Sequence, residues 1–128
     1  MSSDPRRGTG ARGERIAERH LVLRGYRILE RNFRTRYGEV DLVAANERAI
    51  VFCEVKTRID GSRFGMAPLE AIGPRKRRQL RTMARQWLQE RPVGSARPRR
   101  DELRFDAIGV TLARDGTLLR LEHVPGAF

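Results

Sequence analysis

The chain has 128 residues, with 27 lysines and arginines against 16 aspartates and glutamates, for a net charge of +11. That length supports one domain with its own core, no run approaches membrane-crossing length, and the lone Cys53 excludes an internal disulfide. The excess of base favours a polyanionic partner, nucleic acid rather than a membrane, because no basic helix carries an aromatic apolar face. A soluble, cytoplasmic protein is expected, and its charge is compatible with association with the nucleoid.

Residues 1–12 are rich in Ser, Gly, Arg and Pro and lack an apolar run. They read as a disordered basic tail, neither signal peptide nor anchor, ahead of a single domain over 13–128. Gly13 to Leu23 reads as a helix in which Glu14, Ala17 and Leu21 fall at i, i+3, i+7. Glu14 thus ends an apolar stripe, and Gly25 is a natural stop. Tyr26 to Phe33 is a first strand, followed by the basic turn Arg34 to Gly38. The strand Glu39 to Ala45, a tight turn at Asn46-Glu47-Arg48 and the strand Ala49 to Lys56 then form a hairpin. Thr57 to Ala67, with Gly61, Gly65, Arg58 and Arg63, is expected to be a mobile loop.

Pro74 suits the first position of a second helix. Leu80, Met83, Ala84, Trp87 and Leu88 form its apolar stripe, and Arg75, Lys76, Arg77, Arg78, Arg81 and Arg85 its outer face. Trp87, on the stripe, reads as core rather than as a stacking platform. A loop over Arg91 to Arg100 leads to a hairpin of Leu103 to Leu112 and Thr117 to Val124, turned by Arg114-Asp115-Gly116. The order α-β-β-β-α-β-β implies an α/β fold with a mixed central sheet flanked by helices.

The chemistry concentrates on the first hairpin. Glu54 and Lys56 share one face of their strand, while Val51, Cys53 and Val55 fill the other, where Cys53 is inert packing. Asp41 lies on the neighbouring strand. Burying two acids and an ammonium on apolar strands is costly unless a cation sits between the acids. Asp41, twelve residues, then Glu54-Val55-Lys56 fits the nuclease pattern of an acid followed by (D/E)-x-K. Hard oxygen ligands suit Mg2+ or Mn2+, held by Asp41, Glu54 and the carbonyl of Val55. Lys56 would position a water or stabilise developing charge. The chain has two lysines, Lys56 and Lys76, in a background of arginine. Lysine can shift its pKa where arginine cannot, which favours a chemical role for Lys56.

Glu14 is a further candidate, with Glu18 one turn on as its alternative. Glu39, on the Asp41 face, is either a rival ligand or part of the rim. His20 and His123, far apart in sequence, read as structural or surface residues. Asp106 reads as an exposed strand acid or a partner for a base of the second helix. Arg36, Arg58, Arg63, Arg75, Lys76 and Arg78 are the expected nucleic-acid contacts.

Gly13-Glu14 with Ala17, Gly25-Tyr26, Arg31-Asn32-Phe33, Gly38-Glu39-Val40-Asp41-Leu42, Phe52 to Arg58, Lys76 and Arg104-Phe105-Asp106 together resemble the YraN-like family of small bacterial proteins. The resemblance spans Gly13 to Phe128 and implies a restriction-endonuclease-like fold. The site is also similar to that of archaeal Holliday-junction resolvases, which implies Glu14, Asp41, Glu54 and Lys56 as the active site. Val40 stands where a proline often precedes the first strand acid. The implied activity is metal-dependent cleavage of DNA, branched or otherwise structured, with a homodimer suited to cutting two strands. A non-catalytic nucleic-acid-binding protein and a basic accessory protein of a ribonucleoprotein are the alternatives.

Overall fold

The computed structural model describes residues 5–60, 73–90 and 102–128. Its elements are α1 (Pro5–Leu23), β1 (Arg27–Thr35), β2 (Gly38–Ala45), β3 (Ala49–Ile59), α2 (Pro74–Glu90), β4 (Glu102–Leu112) and β5 (Leu118–Val124). The five strands form one sheet in the order β1-β2-β3-β4-β5. β1, β2 and β3 make an antiparallel meander, β3 and β4 are parallel, and β5 returns antiparallel to β4. This is the mixed α/β order expected of a restriction-endonuclease-like core.

The two faces of the sheet carry separate cores. Ala17 and Leu21 of α1 pack with Leu42, Ala44, Val51, Cys53, Ile108 and Val110. Leu80, Met83, Ala84 and Trp87 of α2 pack with Val40, Val43, Ile50 and Phe52 on the opposite face. β3 is therefore covered on both sides, and Ala49 through Glu54 are all buried. Phe52 lies edge-on to Trp87 at 5.7 Å and stacks on Phe105 at 5.6 Å, which ties α2 to the middle of the sheet. No helix of the described residues is long and apolar enough to cross a membrane.

α1 ends as the sequence suggests. Gly25 has φ +93°, its N–H donates to Val22 O, and Tyr26 N–H donates to Leu21 O, both at 3.0 Å. These are the paired bonds of a Schellman stop. The start differs. The helix begins at Pro5, not Gly13, so the stretch expected as a disordered tail over 1–12 is helical from residue 5 onward. Pro5 has the fixed φ that suits a helix start. Arg12 Nε also donates to Gly116 O at 2.7 Å, tying this part of α1 to the β4–β5 turn.

β3 is longer than expected. Thr57, Arg58 and Ile59 continue the strand because they pair in parallel with Val110, Thr111 and Leu112. They are not loop, and residues 61–67 of the expected loop, Arg63 among them, lie outside the described residues.

Asp106 is neither exposed nor bound to α2. It is fully buried. It accepts from Arg104 Nε at 2.8 Å and Nη2 at 2.9 Å, and from Gly126 N–H at 3.0 Å. His123 Nε2 lies 2.8 Å away, and His123 Nδ1 is 3.1 Å from His20 Nε2. Arg104 Nη2 also donates to Tyr26 Oη at 2.6 Å. The two histidines expected to be unrelated thus meet, because β5 returns beside β4 in the sheet and brings His123 against His20 of α1.

Candidate metal and phosphate site

The site forms where β2 and β3 part. Their ladder runs from Ala45↔Ile50 to Leu42↔Cys53 and stops there. Asp41, the next residue, replaces the missing backbone pairing with its side chain: Oδ2 accepts Val55 N–H at 2.7 Å. The pleat is interrupted at the same point. Val40 and Leu42, two apart, would share a face in a regular strand, yet they lie in opposite cores. On the other side Asn32 lies opposite Asp41, between the pairs Arg31↔Leu42 and Phe33↔Val40. Its φ of +51° makes it the non-glycine residue with positive φ among those described. Asparagine tolerates that conformation better than most side chains.

Three acids converge around this break. Glu14 comes from α1, Glu39 and Asp41 from β2, and one carboxylate oxygen of each lies within 4.8 Å of the others. The orientation of the Asn32 amide that satisfies both its ends puts its nitrogen 2.8 Å from Glu14 Oε1 and against Glu39 Oε1. Arg34 Nε approaches Glu39 Oε2 at 3.4 Å. Burial raises the Asp41 pKa to about 7, the Val55 N–H opposes this, and the charges of Glu14, Glu54 and Glu39 add to it. Burial and the neighbouring Glu39 also raise Glu14.

Glu14 reaches this place because α1 lies directly on β3. A Cβ built on Gly13 would fall 1.8 Å from Thr57 Oγ1, so only glycine permits the contact. Glu18, the alternative, is held by Arg31, whose Nε donates to both its oxygens at 3.1 and 3.0 Å. It lines a small cavity with Glu14, Asn32 and Asp41 without joining the three-acid group. Beside the acids opens a cavity of about 480 Å³, lined by Thr9, Gly10, Glu14, Asp41, Val55, Thr57, Arg58 and Ile59.

Glu54 stands apart from the three-acid group. It is 6 % exposed. Its Oε1 lies 3.2 Å from Lys56 Nζ and 3.3 Å from Lys76 Nζ. Its Oε2 is buried and has no hydrogen-bond partner among the described residues. The strand therefore presents Glu54 and Lys56 together. The structure groups Glu39 with Asp41 and Glu14, while the charge of Glu54 raises Asp41 more than that of Glu39 does. Val55 contributes its N–H to Asp41 and lines the cavity.

Of the basic residues, Arg36, Arg75 and Arg78 are exposed. Arg36 lies over the Tyr37 ring at 4.8 Å and donates to its hydroxyl at 2.7 Å. Arg58 is half-buried in β3 and is among the residues lining the cavity, rather than extending from a loop. Lys76 is turned inward onto Glu54. Sequence reasoning missed three residues that build the site: Asn32, Gly13 and, as a partner of Glu54, Lys76. The hairpin register carries a signal for Asn32, since it places that residue opposite Asp41. Lysine in an arginine-rich chain is the signal for Lys76.

Comparison with known proteins gives a consistent family match. The model of the uncharacterised protein family UPF0102 matches residues 13–110. A UPF0102 protein of Frankia casuarinae is 44% identical over 119 residues, covering 93% of this chain and 94% of that protein. One from Pelobacter propionicus is 45% identical over 124 residues, 95% of this chain and 83% of the relative. One from Rhodococcus opacus is 42% identical over 119 residues, 93% and 94% of the two chains.

Proposed function

The chain belongs to the UPF0102 family, and from that premise and the geometry of its acids we propose that it is a metal-dependent endonuclease acting on DNA. Branched or otherwise structured DNA is the proposed substrate, and nucleic acid the proposed partner. The observation that carries this reading is the pair of unmet demands at the break between β2 and β3. Asp41 is a half-buried acid with its pKa at about 7 among other carboxylates, and Glu54 Oε2 is buried without a hydrogen-bond partner among the described residues. A divalent cation shared by the two acids would satisfy both demands, and oxygen donors of this kind suit Mg2+ or Mn2+.

Asp41 and Glu54 would hold such an ion, with Glu14 or Glu39 completing the acid set. When bound, the ion would polarise a phosphoryl oxygen and make a coordinated water more acidic. The chain's own residues do the rest. Val55 N–H fixes the Asp41 carboxylate, and Asn32 holds Glu14 and Glu39 side by side. Lys56, half-exposed beside Glu54, offers its ammonium to the charge that develops on a phosphate. The exposed arginines of α2 supply sequence-independent attraction to the backbone.

A second reading is a nucleic-acid-binding protein without turnover. It is favoured by the two lysines that already neutralise Glu54. A panel of branched, nicked, single-stranded and duplex DNA and RNA, with Mg2+ or Mn2+, separates the two. Cleavage by the wild type that is lost in both Asp41→Asn and Glu54→Gln supports the nuclease. Binding without cleavage of any substrate by either ion leaves the binding protein.

A further inference from the structure

Both lysines of the chain meet on one atom. Lys56 follows Glu54 on β3, and Lys76 is the third residue of α2, yet their Nζ atoms approach the same Oε1 at 3.2 and 3.3 Å. Two like charges on one oxygen repel each other, so for stability alone one of them would serve better on Oε2. That second oxygen instead has no hydrogen-bond partner among the described residues. The first turn of α2 contains no acid, and Arg75, Arg77 and Arg78 surround Lys76 in sequence. Arginine is therefore what this chain uses nearly everywhere on that helix start, and lysine is the exception.

The geometry of the two side chains explains the exception. An ammonium is a point donor that can sit on one carboxylate oxygen and leave the other free. A guanidinium is a planar fork that binds both oxygens of a carboxylate at once. We propose that Lys76 is a positioning residue: with Lys56 it pins Glu54 by Oε1 and so keeps Oε2 open as a donor atom for a divalent cation. An arginine at either position would satisfy Glu54 more fully and close the site. The inference rests on the metal-dependent reading and deepens it, since it names the oxygen that binds and the residue that keeps it available.

The test is Mn2+ binding by isothermal titration to the folded full chain, alongside thermal melts without metal. Lys76→Arg keeps the melting temperature of the wild type or raises it, yet loses Mn2+ affinity by tenfold or more, the scale of removing a partner that orients a ligand. Lys76→Met removes a positive charge near the ion, which by relief of Coulomb repulsion alone tightens binding. The pinning role predicts the reverse, a tenfold or greater weakening. Arg78→Met, an equal change of charge on the same helix, leaves affinity within about twofold or tightens it. Wild-type affinity in Lys76→Arg, or tighter binding in Lys76→Met, overturns the inference and leaves the metal site standing. Absence of Mn2+ binding by the wild type overturns both.

Discussion

Asp41 Oδ2 and the backbone N–H of Val55 are 2.7 Å apart, and this bond stands where the β2–β3 ladder would otherwise continue. A side chain has taken the place of a backbone carbonyl. The acid is thereby fixed to the strand that carries Glu54, at the cost of holding a carboxylate in a half-buried, negatively charged surrounding.

That cost gives the first prediction. The folded pKa of Asp41, about 7, lies above the unfolded value of about 4. Between those values the folded chain binds more protons than the unfolded one, so this group's contribution to stability falls as pH rises. Without divalent ions, Asp41→Asn melts like the wild type below about pH 4. It gains on the wild type through the interval and keeps a constant advantage above about pH 7. Adding Mn2+ above that pH raises the melting temperature of the wild type and not of the variant. A difference that does not vary with pH refutes the assignment.

Gly13 and Gly8 lie in the same helix and predict opposite outcomes. Alanine is the better helix former by about 1 kcal/mol. At Gly8 nothing lies within 4 Å of the new Cβ, so Gly8→Ala stabilises by up to that amount. At Gly13 the Cβ meets Thr57 Oγ1 at 1.8 Å, so Gly13→Ala destabilises by about 1–3 kcal/mol. It also weakens Mn2+ binding, because Glu14 moves with the helix. Urea titrations compare the two variants directly.

Asp106 anchors Arg104, His123 and Gly126 from a fully buried position. Burial works against its charge, but the bonds from His123, Arg104 and Gly126 outweigh it and hold its pKa below the usual value. Asp106→Ala leaves Arg104 without its carboxylate and costs about 3–5 kcal/mol in chemical denaturation. His20 is shifted down by burial and by the charges of His123 and Arg24. Its neutral form is thus favoured by folding, and its contribution is complete above about pH 6.5 and declines as pH falls below it. His20→Gln flattens the stability profile on the acid side of that value.

Arg75 and Arg78 are exposed at the start of α2. If they meet phosphates, replacing both by Gln weakens DNA binding for all sequences alike. It also lowers the slope of log affinity against log salt by about 0.9 for each lost contact. Fluorescence anisotropy over a salt series reads this, and an unchanged slope marks them as solvated surface.

What the sequence revealed and what it hid follow one physical division. The β2–β3 hairpin was legible because its turn and alternation are local: Asn46 Oδ1 accepts from Arg48 and Ala49 N–H across the turn. The stripe of α2 was legible for the same reason, and Leu80, Met83, Ala84 and Trp87 are its buried residues. The start of α1 was not, since Gly8, Gly10 and Gly13 lower its helix propensity, and the contacts of Arg12 with Gly116 and of Gly13 with Thr57 lie far away in sequence. Thr57 to Ile59 resembled loop because its partner β4 comes only after α2. The convergence of His20, His123 and Asp106, and of Lys76 with Glu54, depends on elements distant in sequence. Asp41 and Glu54 were readable as a pair of acids. The interrupted pleat that turns Asp41 toward Glu14 and Glu39 leaves no pattern in the sequence.

The parallel pairing of β3 with β4 also sets the order in which the chain can fold. The meander β1–β2–β3 and the hairpin β4–β5 close through short turns, whereas β3 meets β4 only after the whole crossover containing α2 is looped back. Loop closure of that length precedes the contacts that reward it, so docking of the two halves is the expected slow event. That docking seats Phe105 on Phe52, which already faces Trp87. The single tryptophan therefore sits at the joint between the two halves, and its fluorescence reports the rate at which they join.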